Sequence, residues 1–231
     1  MDVPQVGMIG MRGHSWPRDV FYAFTIIVVA VVSSLAAAWL NAPYFDVVNS
    51  FVRATGEVPR ALFFSSWLVL VGGMVVIWNP PAFGFRLGDT AAHWRLVAGT
   101  LAVAAALTWA VLTLFGTTPY GDRSLFVEAV LVPVTEELVF RGVLLTGLLW
   151  AFGTAFRSGR VAPLAIVVNG LAFGIAHLAN ATSLDLGFVL PQVAFAVVLG
   201  TGCAWLMFRT RSLYPAILLH AVVNAVVVIS F

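Results

Sequence analysis

Long apolar runs separated by short polar and charged connections make up the chain. A helix crossing the hydrocarbon core of a bilayer needs about 20 mostly apolar residues. Seven stretches meet that measure, at roughly 20–40, 61–78, 94–116, 124–152, 161–179, 187–208 and 213–231. They are uniformly apolar and lack the ten-residue alternation of outer-membrane strands, so the pattern predicts helices. Pro, Gly and charge fall between them, at Asn79-Pro80-Pro81, Gly116 to Arg123, Arg157 to Arg160 and Arg209 to Arg211. No connection has room for a second domain, and no internal repeat or low-complexity tract is present. The expected fold is all-α, a polytopic membrane bundle of about seven helices forming one domain over 1–231.

Composition strengthens this reading. Of 231 residues, 61% are hydrophobic and 10% charged, with a mean hydropathy of +1.00. Soluble domains average roughly 45–50% apolar and about 25% charged residues, so the chain lies well outside that class. Disordered, collagen-like and disulfide-stapled chains are excluded as well, and the single Cys203 can form neither an internal bridge nor a cysteine metal cluster. The basic residues are all Arg and are spread along the chain, so a pI near 9.1 does not mark a nucleic-acid surface. Membrane lipid is the expected surrounding, with no nucleic-acid partner.

Charge also orients the bundle. With the N-terminus inside, the inner segments carry Arg12, Arg18, Arg86, Arg95, Arg157, Arg160, Arg209 and Arg211, and the outer ones only Arg53, Arg60 and Arg123. The positive-inside rule then predicts a cytoplasmic N-terminus in a cell membrane. The first run follows a polar leader and contains Ala36-Ala37-Ala38, but it is long for a signal-peptide core. An uncleaved anchor is expected.

Ionisable groups inside spans are costly, and each marks a candidate functional site. The fourth run contains Thr135-Glu136-Glu137-Leu138-Val139-Phe140-Arg141. At about 100° per residue, Glu137 and Arg141 are offset by only about 40° and can pair along one face. Glu136 points about 100° away from Glu137 and about 140° from Arg141. This geometry makes Glu137–Arg141 a structural ion pair and leaves Glu136 for chemistry, since adjacent acids repel and one is pushed toward the range of a general base or acid. In the fifth run Asn169, Phe173 and His177 share a stripe, and in the seventh His220 and Asn224 share a face. A lone membrane His or Asn is often only helix–helix glue. Two His, one Asn and a double acid on three separate spans point instead to a common interior site.

Those residues resemble the type II CAAX prenyl endopeptidases, also described as the CAAX protease and bacteriocin-processing (CPBP, or Abi) group of intramembrane proteases. The family shows Glu-Glu-x-x-x-Arg, Phe-x-x-x-His and His-x-x-x-Asn in that order on separate helices. Here they read Glu136-Glu137-Leu-Val-Phe-Arg141, Phe173-Gly-Ile-Ala-His177 and His220-Ala-Val-Val-Asn224. The resemblance covers roughly residues 124–231 and implies a helical membrane bundle with a polar cavity between the motif-bearing helices. It implies peptide-bond hydrolysis in or beside the membrane, on a membrane-associated or lipidated substrate. Some members cut prenylated proteins after the modified cysteine; others are linked to bacteriocin maturation, self-immunity or scaffolding. A chain this short looks more like a prokaryotic member, which leaves a prenylated substrate open.

Carried onto this chain, the resemblance makes Glu136 the activator of water, with His177 helping to position it. His220 and Asn224 become the donors to the oxyanion, Glu137 and Arg141 supporting groups, and Phe173, with Phe140, part of the wall. Such donors are typically worth about 2.7–4 kcal/mol each. Glu136, His177 and His220 are also a conceivable zinc set, or one for another divalent metal. No His-Glu-x-x-His occurs, however, and Asn224 suits an oxyanion donor better than a ligand. The favoured expectation needs no cofactor, with metal assistance as the alternative.

Other intramembrane protease types fit less well. There is no Gly-x-Ser-x-Gly, no zinc helix of the site-2 type and no pair of intramembrane Asp residues, and Cys203 has no acid–base company in its own span. The rival readings are a non-catalytic adaptor or bacteriocin self-immunity protein that keeps the fold, and a proton-coupled carrier. A carrier would show inverted repeats and broken helices.

Two features fit awkwardly. Counted from the inner ends of their runs, Glu136 and His177 lie about sixteen residues in but His220 only about seven, a mismatch of roughly 13 Å. Either the fourth and fifth helices extend beyond the bilayer, which is favoured, or Pro215 shifts the start of the seventh. Glu128, two turns before Glu136, is expected to be solvated at the interface.

Overall fold

In a computed structural model of the protein, the described residues are 83–115, 123–149, 161–182 and 184–230, with isolated positions between 64 and 73. Every regular element among them is helical. The run at 94–116 forms α1 (Trp94–Phe115), on which Val103, Leu107 and Leu114 share an exposed face. Apolar side chains at helical spacing, turned away from the protein, are what a lipid-facing helix requires. The run at 124–152 forms a helical rod with α2 (Val132–Glu137) at its centre and a π-helix on either side, Val127–Leu131 and Leu138–Leu145. Next come α3 (Val161–Ala176), which tightens into a 3₁₀ turn at His177–Thr182, then α4 (Leu186–Thr210) and α5 (Tyr214–Ile229).

Trp94–Leu114, Ala162–Ala181 and Leu186–Thr210 are each long and apolar enough to cross a membrane, and Tyr214–Ile229 is a shorter apolar helix. The predicted spans at 20–40 and, apart from the isolated positions, 61–78 lie outside the described residues, so the expected count of seven rests on the sequence alone.

Small residues let α3 approach α4. A Cβ on Gly170 would collide with Thr201 Oγ1 and come within 2.9 Å of the Thr201 nitrogen; one on Gly174 would collide with Val197 and lie 3.0 Å from the Val193 carbonyl. In a bilayer, where lipid tails are as apolar as Leu, such close backbone packing is a main source of helix association. Asp185 caps α4 by accepting from the Gly187 N–H at 2.7 Å. The helix ends at Arg211, in the left-handed conformation at φ 54°.

Residues 83–90 pack against this end of α4 and the start of α5. The Asp89 N–H donates to the Thr210 carbonyl at 2.7 Å and the Leu213 N–H to the Gly84 carbonyl at 2.9 Å. Gly88 (φ 54°) permits the contact, because a Cβ there would collide with the Thr210 carbonyl. Leu213, Pro215 and Ala216 are buried, so α5 begins inside the fold.

Candidate active site

The helix bearing the two acids departs from α-helical geometry on both sides of them. In a π turn each N–H reaches back five residues instead of four, and such turns are frequent at functional sites. The Val132 N–H donates to the Val127 carbonyl in this way. The next bond of that series would run from residue 133 to Glu128, but Pro133 has no N–H to give. Asn224 fills the gap from α5, with Nδ2 donating to the Glu128 carbonyl at 2.9 Å. The Asn of the third motif thus uses one amide hydrogen to complete the backbone of the helix carrying the first.

Glu137 and Arg141 are both fully buried, and Arg141 Nη1 lies 3.0 Å from Glu137 Oε1. The same carboxylate oxygen accepts from His220 Nδ1 at 2.9 Å. Above the guanidinium is the Phe173 ring, with its centroid 4.2 Å from Cζ. Stacking of this kind suits a desolvated, weakly hydrated cation. None of the three Arg141 side-chain nitrogens has a hydrogen bond of good geometry among the described residues, so the charge is held by Glu137 and the ring face. Gly200 makes space for this stack: a Cβ there would lie 2.9 Å from Phe173 Cδ1 and 3.1 Å from Arg141 Nη2.

His220 bridges the two acids. Its Nε2 lies 3.9 Å from Glu136 Oε2, beyond hydrogen-bond range, while Nδ1 is engaged by Glu137. Glu136 is the more open acid, with 23% of its side chain exposed, and Oε2 is buried without a hydrogen-bond partner among the described residues. His177 stands where α3 tightens, its Nδ1 2.8 Å from the Phe173 carbonyl. A carbonyl only accepts, so His177 Nδ1 carries a proton, and in the neutral ring Nε2 then holds the lone pair. Phe173 packs edge-on against both imidazoles, with centroids 4.8 Å from His177 and 5.7 Å from His220, and against Phe140 at 5.0 Å. The three motifs therefore form one connected cluster around Phe173.

Glu128 departs from the sequence expectation. It is buried, not solvated, and pairs with Arg123 at 3.2 Å. Sequence reasoning also gave no role to Pro133, Gly200 or the hydrogen bond of Asn169. The free Cys203 is buried and donates to the Ala216 carbonyl at 3.7 Å, away from solvent.

Among the described residues no three His, Cys, Asp or Glu side chains converge closely enough to hold an ion.

In comparisons with known proteins, the family model described as type II CAAX prenyl endopeptidase Rce1-like matches residues 123–226. That range takes in the acid-bearing helix, α3, α4 and the part of α5 with His220 and Asn224. Searches of curated proteins and of solved structures return no match.

Proposed function

We propose that this chain, which the Rce1-like type II CAAX prenyl endopeptidase family model matches over residues 123–226, is an intramembrane endopeptidase driven by Glu136. The observation that carries the proposal is the pair of acids meeting one imidazole: Glu137 is neutralised by Arg141 and engaged by His220 through Oε1, with Oε2 also unpartnered but sealed in the interior, while Glu136 is the more open acid and turns an unpartnered Oε2 toward His220 Nε2. A carboxylate with a free oxygen beside buried donors can take a proton from water, and the neighbouring pair keeps the local charge balanced.

The reaction follows from the remaining hydrogens. His177, with Nδ1–H committed to Phe173, offers the lone pair of Nε2 to one hydrogen of a water molecule. Glu136 removes the other as the water oxygen attacks the scissile carbonyl. His220, when it carries both ring protons, donates through Nε2 to the developing oxyanion, since Nδ1–H is committed to Glu137. Asn224 has two amide hydrogens, one of them on the Glu128 carbonyl, and the second is the other oxyanion donor. Glu136 then returns its proton to the leaving amine. No step requires a metal.

In this reading the substrate is a membrane-associated or lipidated protein or peptide, and bilayer lipid is a further partner. The chain works in a cell membrane, by our reading a prokaryotic one, with its N-terminus cytoplasmic. The test is turnover of fluorogenic peptides, prenylated and unmodified, by purified protein in lipid nanodiscs. Glu136→Gln is expected to lower kcat by about 10²–10⁴-fold, as loss of a general base does, with a strong chelator having no effect on the wild type. Unchanged turnover in a folded Glu136→Gln protein refutes the assignment, and chelator-sensitive turnover restored by zinc moves the mechanism to a metal.

A further inference from the structure

Asn169 lies outside the three motifs, yet it reaches the helix that carries the acids. Its side chain is fully buried, and Nδ2 donates to the Phe140 carbonyl at 2.7 Å. Phe140 belongs to the second π-helix, Leu138–Leu145, one turn beyond Glu136. We infer that Asn169 is a positioning residue: by holding the Phe140 carbonyl it sets the distance between the Glu136–Glu137 segment and the helix that supplies His177. The inference rests on the endopeptidase reading for its catalytic consequence but not for the clamp itself.

Four observations support it. Asn169, Phe173 and His177 recur at four-residue spacing on α3, so one face clamps the acid-bearing helix, stacks on Arg141 and presents the imidazole. Phe140 is held twice from that face, its carbonyl by Asn169 and its ring by Phe173. α3 is itself fixed to α4 through Gly170, adjacent to Asn169, and Gly174, so the clamp is anchored to a rigid support. Finally, Asn169 Oδ1 is buried without a hydrogen-bond partner among the described residues. A purely packing role would favour an apolar residue of similar size, since the orphan acceptor is unfavourable. The donor is what the position uses.

The arrangement has a counterpart at the other end. Asn224 holds the Glu128 carbonyl in the first π-helix, as Asn169 holds Phe140 in the second. The six residues of α2, with both acids at its end, lie between two asparagine clamps from different helices.

The experiment uses the full chain in nanodiscs with Asn169→Leu, which keeps volume and removes the donor. Two readouts are taken, amide hydrogen exchange along the chain and the split between kcat and KM on a peptide that the wild type cleaves. Exchange across 138–145 is expected to rise about tenfold or more while 186–210 stays at the wild-type rate, because a local clamp opens a local segment. In turnover, kcat is expected to fall about tenfold with KM within about twofold, the signature of misplaced chemistry and not of lost binding. Asn169→Ser, whose hydroxyl keeps a donor on a shorter stem, should recover part of both effects. It also carries the test alone if Asn169→Leu fails to assemble, in that case by showing a smaller, still local, rise in exchange. Unchanged exchange at 138–145, a rise spread evenly over all helices, or full kcat in a protein whose 138–145 segment has loosened would overturn the inference. A wild type silent on every peptide would count against the endopeptidase reading, and the exchange result would still decide the clamp.

Discussion

Replacing Arg141 with Met tests how the site tolerates charge in its interior. The guanidinium is fully buried, 3.0 Å from Glu137 and 4.2 Å from the centre of the Phe173 ring. Removing one partner of a buried pair costs about 3–5 kcal/mol, because the remaining charge stays desolvated without its counter-ion. Loss of the ring contact adds up to about 2 kcal/mol, of which a methionine sulfur over the same ring recovers roughly 0.3–1.5 kcal/mol. Against this, His220 Nδ1 remains 2.9 Å from Glu137 and softens the loss. The net expectation is about 3–4 kcal/mol, or a melting temperature lower by roughly 6–16 °C for a chain of this size.

The decisive comparison is the double variant Glu137→Gln/Arg141→Met. With both charges gone, no uncompensated ion is left in the interior, and replacing a buried pair with neutral groups is often nearly neutral. The double variant should therefore melt well above Arg141→Met, although it carries one more substitution. The assay is thermal unfolding in one detergent, followed by intrinsic tryptophan fluorescence, with size-exclusion profiles confirming assembly. An Arg141→Met protein that melts within about 2 °C of wild type would show that the buried pair contributes little. A double variant no more stable than the single would show that the loss comes from packing around Phe173 and not from an orphaned charge.

Gly170→Ala should separate α3 from α4 and lower stability by about 1–3 kcal/mol, because the new methyl meets Thr201 backbone as well as its side chain; Gly99→Ala, with open space around it, should cost nothing measurable by the same melt. Asn224→Ala removes the amide hydrogen bond to the Glu128 carbonyl and should cost about 1–3 kcal/mol. Adding Pro133→Ala supplies a backbone N–H for that carbonyl and should restore part of the stability without restoring turnover; a double variant that melts no higher than Asn224→Ala refutes the account of the gap.

Much of the architecture can be read from apolar run length alone. The run at 94–116 is α1 almost to the residue, and those at 187–208 and 213–231 match α4 and α5 within two residues at each end. The i,i+4 spacing of Glu137 and Arg141 gives their proximity, because both lie on one local stretch of helix. What escapes is whatever depends on distant partners. His220 meets Glu137 across 83 residues, and Asn224 meets the Glu128 carbonyl across 96. A uniform turn of about 100° per residue assigns the two acids to different faces. That description omits the π turns beside them, and an imidazole with two ring nitrogens can face both acids at once. Glu128 escapes for a similar reason: its position near the end of a run suggests water, but its burial and its pairing with Arg123 follow from packing, not hydropathy.

The buried start of α5 ties the imidazole to a distant part of the chain. His220 lies six residues, or about 9 Å, along the helix from Tyr214. The turn before that helix is held to the 84–89 segment by two main-chain hydrogen bonds, Asp89 to Thr210 and Leu213 to Gly84. A change in that segment, about fifty residues before the acids, therefore acts on the side chain that faces both of them, through less than two turns of helix.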